Sequence, residues 1–172
     1  MFICKTTPCV MERNMLYVWM IFTVAGIVAF DQLSKLWVVS HIPLHTYLPG
    51  IKGIFNLTYV QNTGAAFSSF QGMQWLFALI FVVFTAAIFW CFLKNSLPFS
   101  RLEKWCIVCI WAGGLGNMID RLRLGYVVDM INLEFMHFPV FNVADCFITC
   151  GCVLLMVSLI FFNRQFWKDE KK

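Results

Sequence analysis

Two aspartates, Asp129 and Asp145, each sit in a polar cluster within an otherwise apolar chain. The first cluster runs Gly116-Asn117-Met118-Ile119-Asp120-Arg121 and on to Val128-Asp129; the second is Phe141-Asn142-Val143-Ala144-Asp145. Carboxylates at the edge of hydrocarbon are costly to keep there and mark function more often than structure. Two carboxyl groups brought together repel as anions, so their apparent pKa values separate and the pair holds one proton between them. The ionised member can take a proton from water for attack on a peptide carbonyl, while its neighbour stabilises the developing oxyanion. That is aspartic-protease chemistry. On spacing alone, two independent helix caps or ion-pair partners explain the same acids equally well.

Other constellations surround the pair. Asp31 and Lys35 lie at i and i+4, acid first, the favourable order on one helix face; they either make a lone ion pair tolerable in lipid or brace the neighbouring loops. Asn117 and Arg121 share the same spacing, and an amide beside a guanidinium can hold the backbone carbonyls of an extended peptide. Snorkelling of Arg121 to the interface is the competing reading. Gly113, Gly114 and Gly116 suit close helix packing. His41, His45 and His137 show no metal-ligand spacing, so no metal site is expected. Ser68 and Ser69 lack a nucleophile elbow, which argues against a serine hydrolase. The eight cysteines form no defensible disulfide framework, and Cys106-x-x-Cys109 has no second pair to complete a metal site. They read as small buried hydrophobes.

The elements that must position these residues are membrane spans. Hydrophobic residues make up 60% of the 172 and charged ones only 13%, against about a quarter charged in soluble domains. Apolar stretches run Met15 to Ser40, Trp75 to Leu93, Trp105 to Ile119 and Val143 to Phe162. A bilayer core takes roughly 20 residues, so the third stretch spans either with Arg101, Leu102, Glu103 and Lys104 snorkelling at its end, from 101 to 119, or where the bilayer thins. The first stretch is too long for a signal-peptide core and carries Asp31 and Lys35, so it reads as a retained helix. With both termini inside, nine Lys and Arg residues fall on the cytoplasmic side and four on the outer side, the bias expected of a four-helix topology. Asp31, Asp120, Asp129, Glu134 and Asp145 then all face out. Nothing resembles a basic stripe for nucleic acid.

Residues 1–14 form a short polar arm without pattern. In the outer segment 41–74, the alternation from Ile54 to Asn62 predicts a strand, closed by a turn at Asn62-Thr63-Gly64 that favours left-handed backbone. Asn95-Ser96-Leu97-Pro98 marks an inner turn. Tyr126 to Asn132 can extend, and Asn142 is placed to cap the last helix. The chain reads as one membrane domain, 1–172, without repeats. A transporter using Asp31, Asp129 and Asp145 as a proton relay needs polar groups through the bilayer midplane, where the second and fourth stretches supply almost none.

Taken in order, Asp31-Gln32-Leu33-Ser34-Lys35, Asn62-Thr63-Gly64-Ala65-Ala66-Phe67-Ser68, Gly116 to Arg121 with Gly125 to Asp129, and Phe141 to Asp145 resemble the bacterial lipoprotein signal peptidases, or signal peptidase II. The likeness runs from about residue 15 to 163. It implies an all-α membrane protein of four transmembrane helices with a small periplasmic β-sheet cradle, spanning at about 15–40, 75–93, 101–119 and 143–162. It further implies an aspartic endopeptidase of the bacterial inner membrane, with both termini cytoplasmic and the active site near the periplasmic face; the sequence does not set the oligomeric state, and a monomer is the expectation. The substrates it implies are diacylglyceryl-modified prolipoproteins, met within membrane lipid and cut just before the lipid-bearing cysteine, without metal or cofactor. By the same resemblance Asp129 and Asp145 are the catalytic pair. Asn62, Gly64, Asn117, Arg121 and Asn142 support the site or touch substrate, and Asp31 and Lys35 brace it.

Overall fold

The computed structural model describes residues 7–64, 72–94 and 98–163, with side chains from Met15 onward. Ala65 to Ser69, Asn95-Ser96-Leu97, Cys4, the Cys9 side chain and the basic tail from Arg164 lie outside the described residues. Helix α1 (Thr7–His41) is followed by strands β1 (Tyr47–Ile51) and β2 (Phe55–Asn62) and helices α2 (Gln74–Lys94) and α3 (Arg101–Leu124). Strand β3 (Val127–Leu133) leads into α4 (Val143–Val157), which widens to a π turn over Ser158–Phe162.

Among the described residues, three helical stretches are long and apolar enough to cross a membrane: Met15–His41, Gln74–Lys94 and Val143–Phe162. α2 buries no residue within the protein, as expected of a helix that is apolar all round and faces lipid. α3 matches the others in length, with 24 residues, but its two charged ends and glycine-rich middle make it the least apolar. It is also the helix against which the others pack: α1, α2 and α4 all contact it. Close approach depends on its glycines. A Cβ at Gly113 would sit 2.5 Å from the Ala144 carbonyl oxygen of α4, and one at Gly116 would sit 2.7 Å from Asp31 Oδ2 of α1.

Local signals set the ends of these helices. Ser100 and Glu103 form a reciprocal capping box at the start of α3, and Gly125 at φ 80° stops it with a left-handed residue. Asn142 and Asp145 form the corresponding box at α4. The sheet is antiparallel in the order β1-β2-β3, with Val60 opposite Asp129 and Asn62 opposite Val127. It rests on the C-terminal end of α1, where Val38 and Ile42 pack against Tyr59, Val128 and Met130.

Four expectations are corrected. The helix begins at Thr7, inside the arm read as patternless. Glu103 does not snorkel: it is fully buried, accepting from the Ser100 N–H, Ser158 Oγ and Asn163 Nδ2 at 2.7–2.8 Å. The turn after β2 uses no left-handed residue at Asn62 or Gly64. Instead Asn62 Oδ1 accepts the Gly64 N–H at 2.9 Å, so a side chain supplies the bend. Strand β1 was not foreseen, because every residue in it is exposed and Pro49-Gly50 interrupts any alternation.

Candidate active site

Five elements bring polar side chains to the end of the helix bundle nearest the sheet. Asp129 enters on β3 and is only 2% exposed. Its Oδ2 accepts from Asn62 Nδ2 at 2.9 Å and its Oδ1 from Asn142 Nδ2 at 2.6 Å. Asp145, in the first turn of α4 and half-buried, accepts from Asn117 Nδ2 at 2.8 Å and from the Asn142 N–H at 3.2 Å. Its own N–H returns to Asn142 Oδ1 at 2.9 Å. Asn142, fully buried, therefore binds both carboxylates at once: its side-chain amide holds one and its backbone the other. The cap that starts α4 is also the link between the two acids.

Behind this pair lies a buried ionic cluster. Lys35 Nζ stands 2.8 Å from Asp31 Oδ2 and 3.0 Å from Asp120 Oδ2, and donates to Asn117 Oδ1 at 3.0 Å. One ammonium thus opposes two anions, and the remaining lone pairs are satisfied by N–H donors. Asp31 Oδ1 accepts from the Ala144 N–H at 2.9 Å, and Asp120 Oδ2 from the Val128 N–H at 3.1 Å. Gln32 Nε2 reaches Asp120 Oδ1 at 2.9 Å. Buried ions are tolerable only when paired and hydrogen-bonded in this way. The consequence reaches the front: by taking the Asn117 oxygen, Lys35 turns the amide so that its NH₂ faces Asp145.

Electrostatics follow from this burial. Removal from water, reinforced by the charge of Asp145, pushes the Asp129 carboxyl up from 3.8 to about 6, although the Asn62 and Asn142 hydrogen bonds and Lys35 pull it down. Asp129 therefore keeps its proton to higher pH than an ordinary carboxyl does. Arg121 stacks on the Phe77 ring, 4.4 Å from guanidinium centre to centroid, and its Nη2 donates to the Gly64 carbonyl at 3.1 Å. The carbonyl that Arg121 holds here belongs to its own chain, at Gly64.

All nine residues singled out in the sequence, Asp31, Lys35, Asn62, Gly64, Asn117, Arg121, Asp129, Asn142 and Asp145, join this one network. Gln32 and Asp120 were missed as site residues although both lie inside the quoted motifs. Their signal was position: Asp120 falls one turn after Gly116 on the face of α3 that meets α1. The described cysteines, Cys91, Cys106, Cys109, Cys146, Cys150 and Cys152, are free thiols.

A family model described as signal peptidase (SPase) II matches residues 23–161. A lipoprotein signal peptidase from Streptococcus pyogenes serotype M2 is 48% identical over 145 residues, covering 84% of this chain and 90% of the relative. One from Streptococcus agalactiae serotype Ia is 49% identical over 146 residues, covering 84% and 88%. Among solved structures, a bacterial membrane enzyme determined by the in meso method at 2.3 Å resolution superposes with a TM-score of 0.78 at 29% identity, covering 85% of this chain and 90% of the other.

Proposed function

This chain belongs to the signal peptidase II family, and we propose that it cleaves diacylglyceryl-modified prolipoproteins just before the lipid-bearing cysteine, using Asp129 and Asp145 to activate water. Membership of the family makes it a bacterial membrane protease that removes prolipoprotein signal peptides. The aspartic mechanism rests on one observation above all: Asn142 hydrogen-bonds both carboxylates, and one of them is held up to about 6.

In this mechanism the pair enters the cycle carrying one proton. The ionised carboxylate removes a proton from water as the oxygen attacks the scissile carbonyl carbon. The protonated carboxyl donates to the carbonyl oxygen, which leaves a neutral tetrahedral diol. Collapse breaks the C–N bond, with a proton passing to the departing amine, and the dyad returns to one proton. Asn62, Asn117 and Asn142 keep both side chains in place through the cycle, which is the entropic part of the rate. Asp31, Lys35, Asp120 and Gln32 fix Asn117 and the start of α4 from behind.

α3 serves as a fourth span in this reading, completed at the inner end by its capping box. Both termini are then cytoplasmic and the site lies at the outer face of the inner membrane. Residues 1–172 form a single domain acting as a monomer without metal or cofactor. A diacylglyceryl substrate stays in the bilayer because each buried CH₂ holds it by about 0.8 kcal/mol, so a dyad near the outer interface meets the scissile bond where the acyl anchor holds it. The test is cleavage of a synthetic lipidated prolipopeptide by the purified protein. Cleavage before the modified cysteine, lost in Asp129→Asn and Asp145→Asn proteins that remain folded, is expected. Near-normal turnover by either variant overturns the dyad.

A further inference from the structure

Among the described residues, two buried side-chain polar atoms have no hydrogen-bond partner: Gln74 Oε1 and Arg121 Nε. One is an acceptor and the other a donor. The two side chains are anchored to adjacent residues: Gln74 Nε2 donates to the Thr63 carbonyl at 3.0 Å and Arg121 Nη2 donates to the Gly64 carbonyl at 3.1 Å. Gln74 Nε2 also donates to the Gly125 carbonyl at 2.8 Å. Two carbonyl partners fix which end of that amide is nitrogen, so the free atom is the oxygen. The Phe77 ring covers one face of the Arg121 guanidinium and leaves its edges for hydrogen bonding.

Unsatisfied buried polar atoms are rare in native proteins and each calls for a physical reason. Here a lone acceptor and a lone donor of opposite sense flank one dipeptide. In an extended chain, the N–H and C=O of a single residue point to the same side, as they do in a hydrogen-bonded strand pair. We propose that Gln74 Oε1 and Arg121 Nε bind the backbone of one substrate residue, the glutamine accepting its N–H and the arginine donating to its C=O.

The proposal rests on the peptidase reading and adds Gln74 to it as a substrate-binding residue. Gln74 lies at the start of α2, outside every motif cluster. The pair connects to the acids through Gly64 and Asn62: Arg121 holds the Gly64 carbonyl, the Gly64 N–H bonds Asn62, and Asn62 bonds Asp129. The bound residue therefore lies on the side of the scissile bond that faces Gly64 and Asn62. Both side chains are only partly buried. Rotation of either one away from the Thr63-Gly64 backbone opens the unsatisfied edge to an incoming strand. Backbone recognition of this kind suits an enzyme whose substrates share a lipid-bearing cysteine and vary around it.

The test uses the full chain in lipid-detergent micelles and lipidated prolipopeptides in which successive backbone amides near the cut, other than the scissile one, are replaced by esters. An ester keeps the carbonyl and side chain and deletes the N–H. In the wild-type protein, one ester position should raise KM about tenfold with little change in kcat, the signature of lost ground-state binding. Gln74→Leu should raise KM for the all-amide peptide by a similar factor and abolish the ester penalty at that position. A wild-type scan with no sensitive position overturns the proposal without any variant. So does a penalty that persists in full in Gln74→Leu or, should that protein fail to fold, in Gln74→Ser, whose hydroxyl is too short to reach. If the all-amide peptide is not cut at all, the peptidase reading has failed instead.

Discussion

Replacing Asp129 by Asn should change how stability depends on pH as well as abolishing cleavage. In the wild-type protein the Asp129 carboxyl stands at about 6 against an ordinary 3.8. Between those values the folded state binds more protons at this site than the unfolded chain does, so stability falls as pH rises through the window. Carried to completion above pH 6, the difference amounts to about 3 kcal/mol. Asn does not titrate and escapes this cost, but it brings a different one. Asn62 and Asn142 both donate to Asp129, and neither can turn its amide over, because Asn62 Oδ1 accepts from Gly64 and Asn142 Oδ1 from Asp145. An Asn at 129 can accept from one donor only and sets its own NH₂ against the other, at about 1–3 kcal/mol regardless of pH. The variant should therefore be the less stable protein near pH 4 and should gain about 2.4 kcal/mol on the wild type by pH 7.5, reaching or passing it. Reversible unfolding of both proteins in mixed micelles across that range measures the difference, in which distant titrating groups cancel. A difference that stays constant to within about 1 kcal/mol would refute the burial argument for Asp129.

The same carboxyl predicts the activity profile: kcat/KM should fall on the alkaline side with an apparent pKa near 6 belonging to the pair, read from initial rates between pH 4.5 and 8.5. A rate that keeps climbing to pH 8 contradicts a dyad that needs one proton. Asn142→Ala removes the cap of α4 and the donor shared by the two acids. It should cost about 1 kcal/mol in stability and at least about a hundredfold in kcat through lost charge-assisted hydrogen bonding, with kcat within threefold of wild type counting against the link. Lys35→Met leaves Asp31 and Asp120 buried without their cation. A loss of about 3–5 kcal/mol is expected, visible as a much lower unfolding midpoint even in the absence of substrate, and an unchanged midpoint would show the cluster to be unimportant for folding.

The sequence by itself determined everything that acts within a turn or two of chain. Runs of apolar residues fixed the helices, because twenty such residues in succession leave hydrocarbon as their best solvent. Asn142 announced the start of α4, since an N-cap acts locally, and Asp31 with Lys35 could be paired from their spacing alone. Where local rules were read too literally they misled. Asn62-Thr63-Gly64 looked like a left-handed turn but is bent by a side chain, and Glu103 looked like a snorkelling charge but is buried by the π turn after α4.

Only the tertiary structure decided that Asp129 and Asp145 share a partner, that Lys35 also faces Asp120, and that Gln32 and Gln74 belong to the site. These contacts join residues up to about ninety positions apart, and their existence depends on how near α1, α3 and α4 can approach. Gly113 and Gly116 set that approach by having no side chain in the gap. Spacing along a chain carries the chemistry of each group, whereas a pKa or an unsatisfied hydrogen bond arises from what distant segments exclude or supply around it.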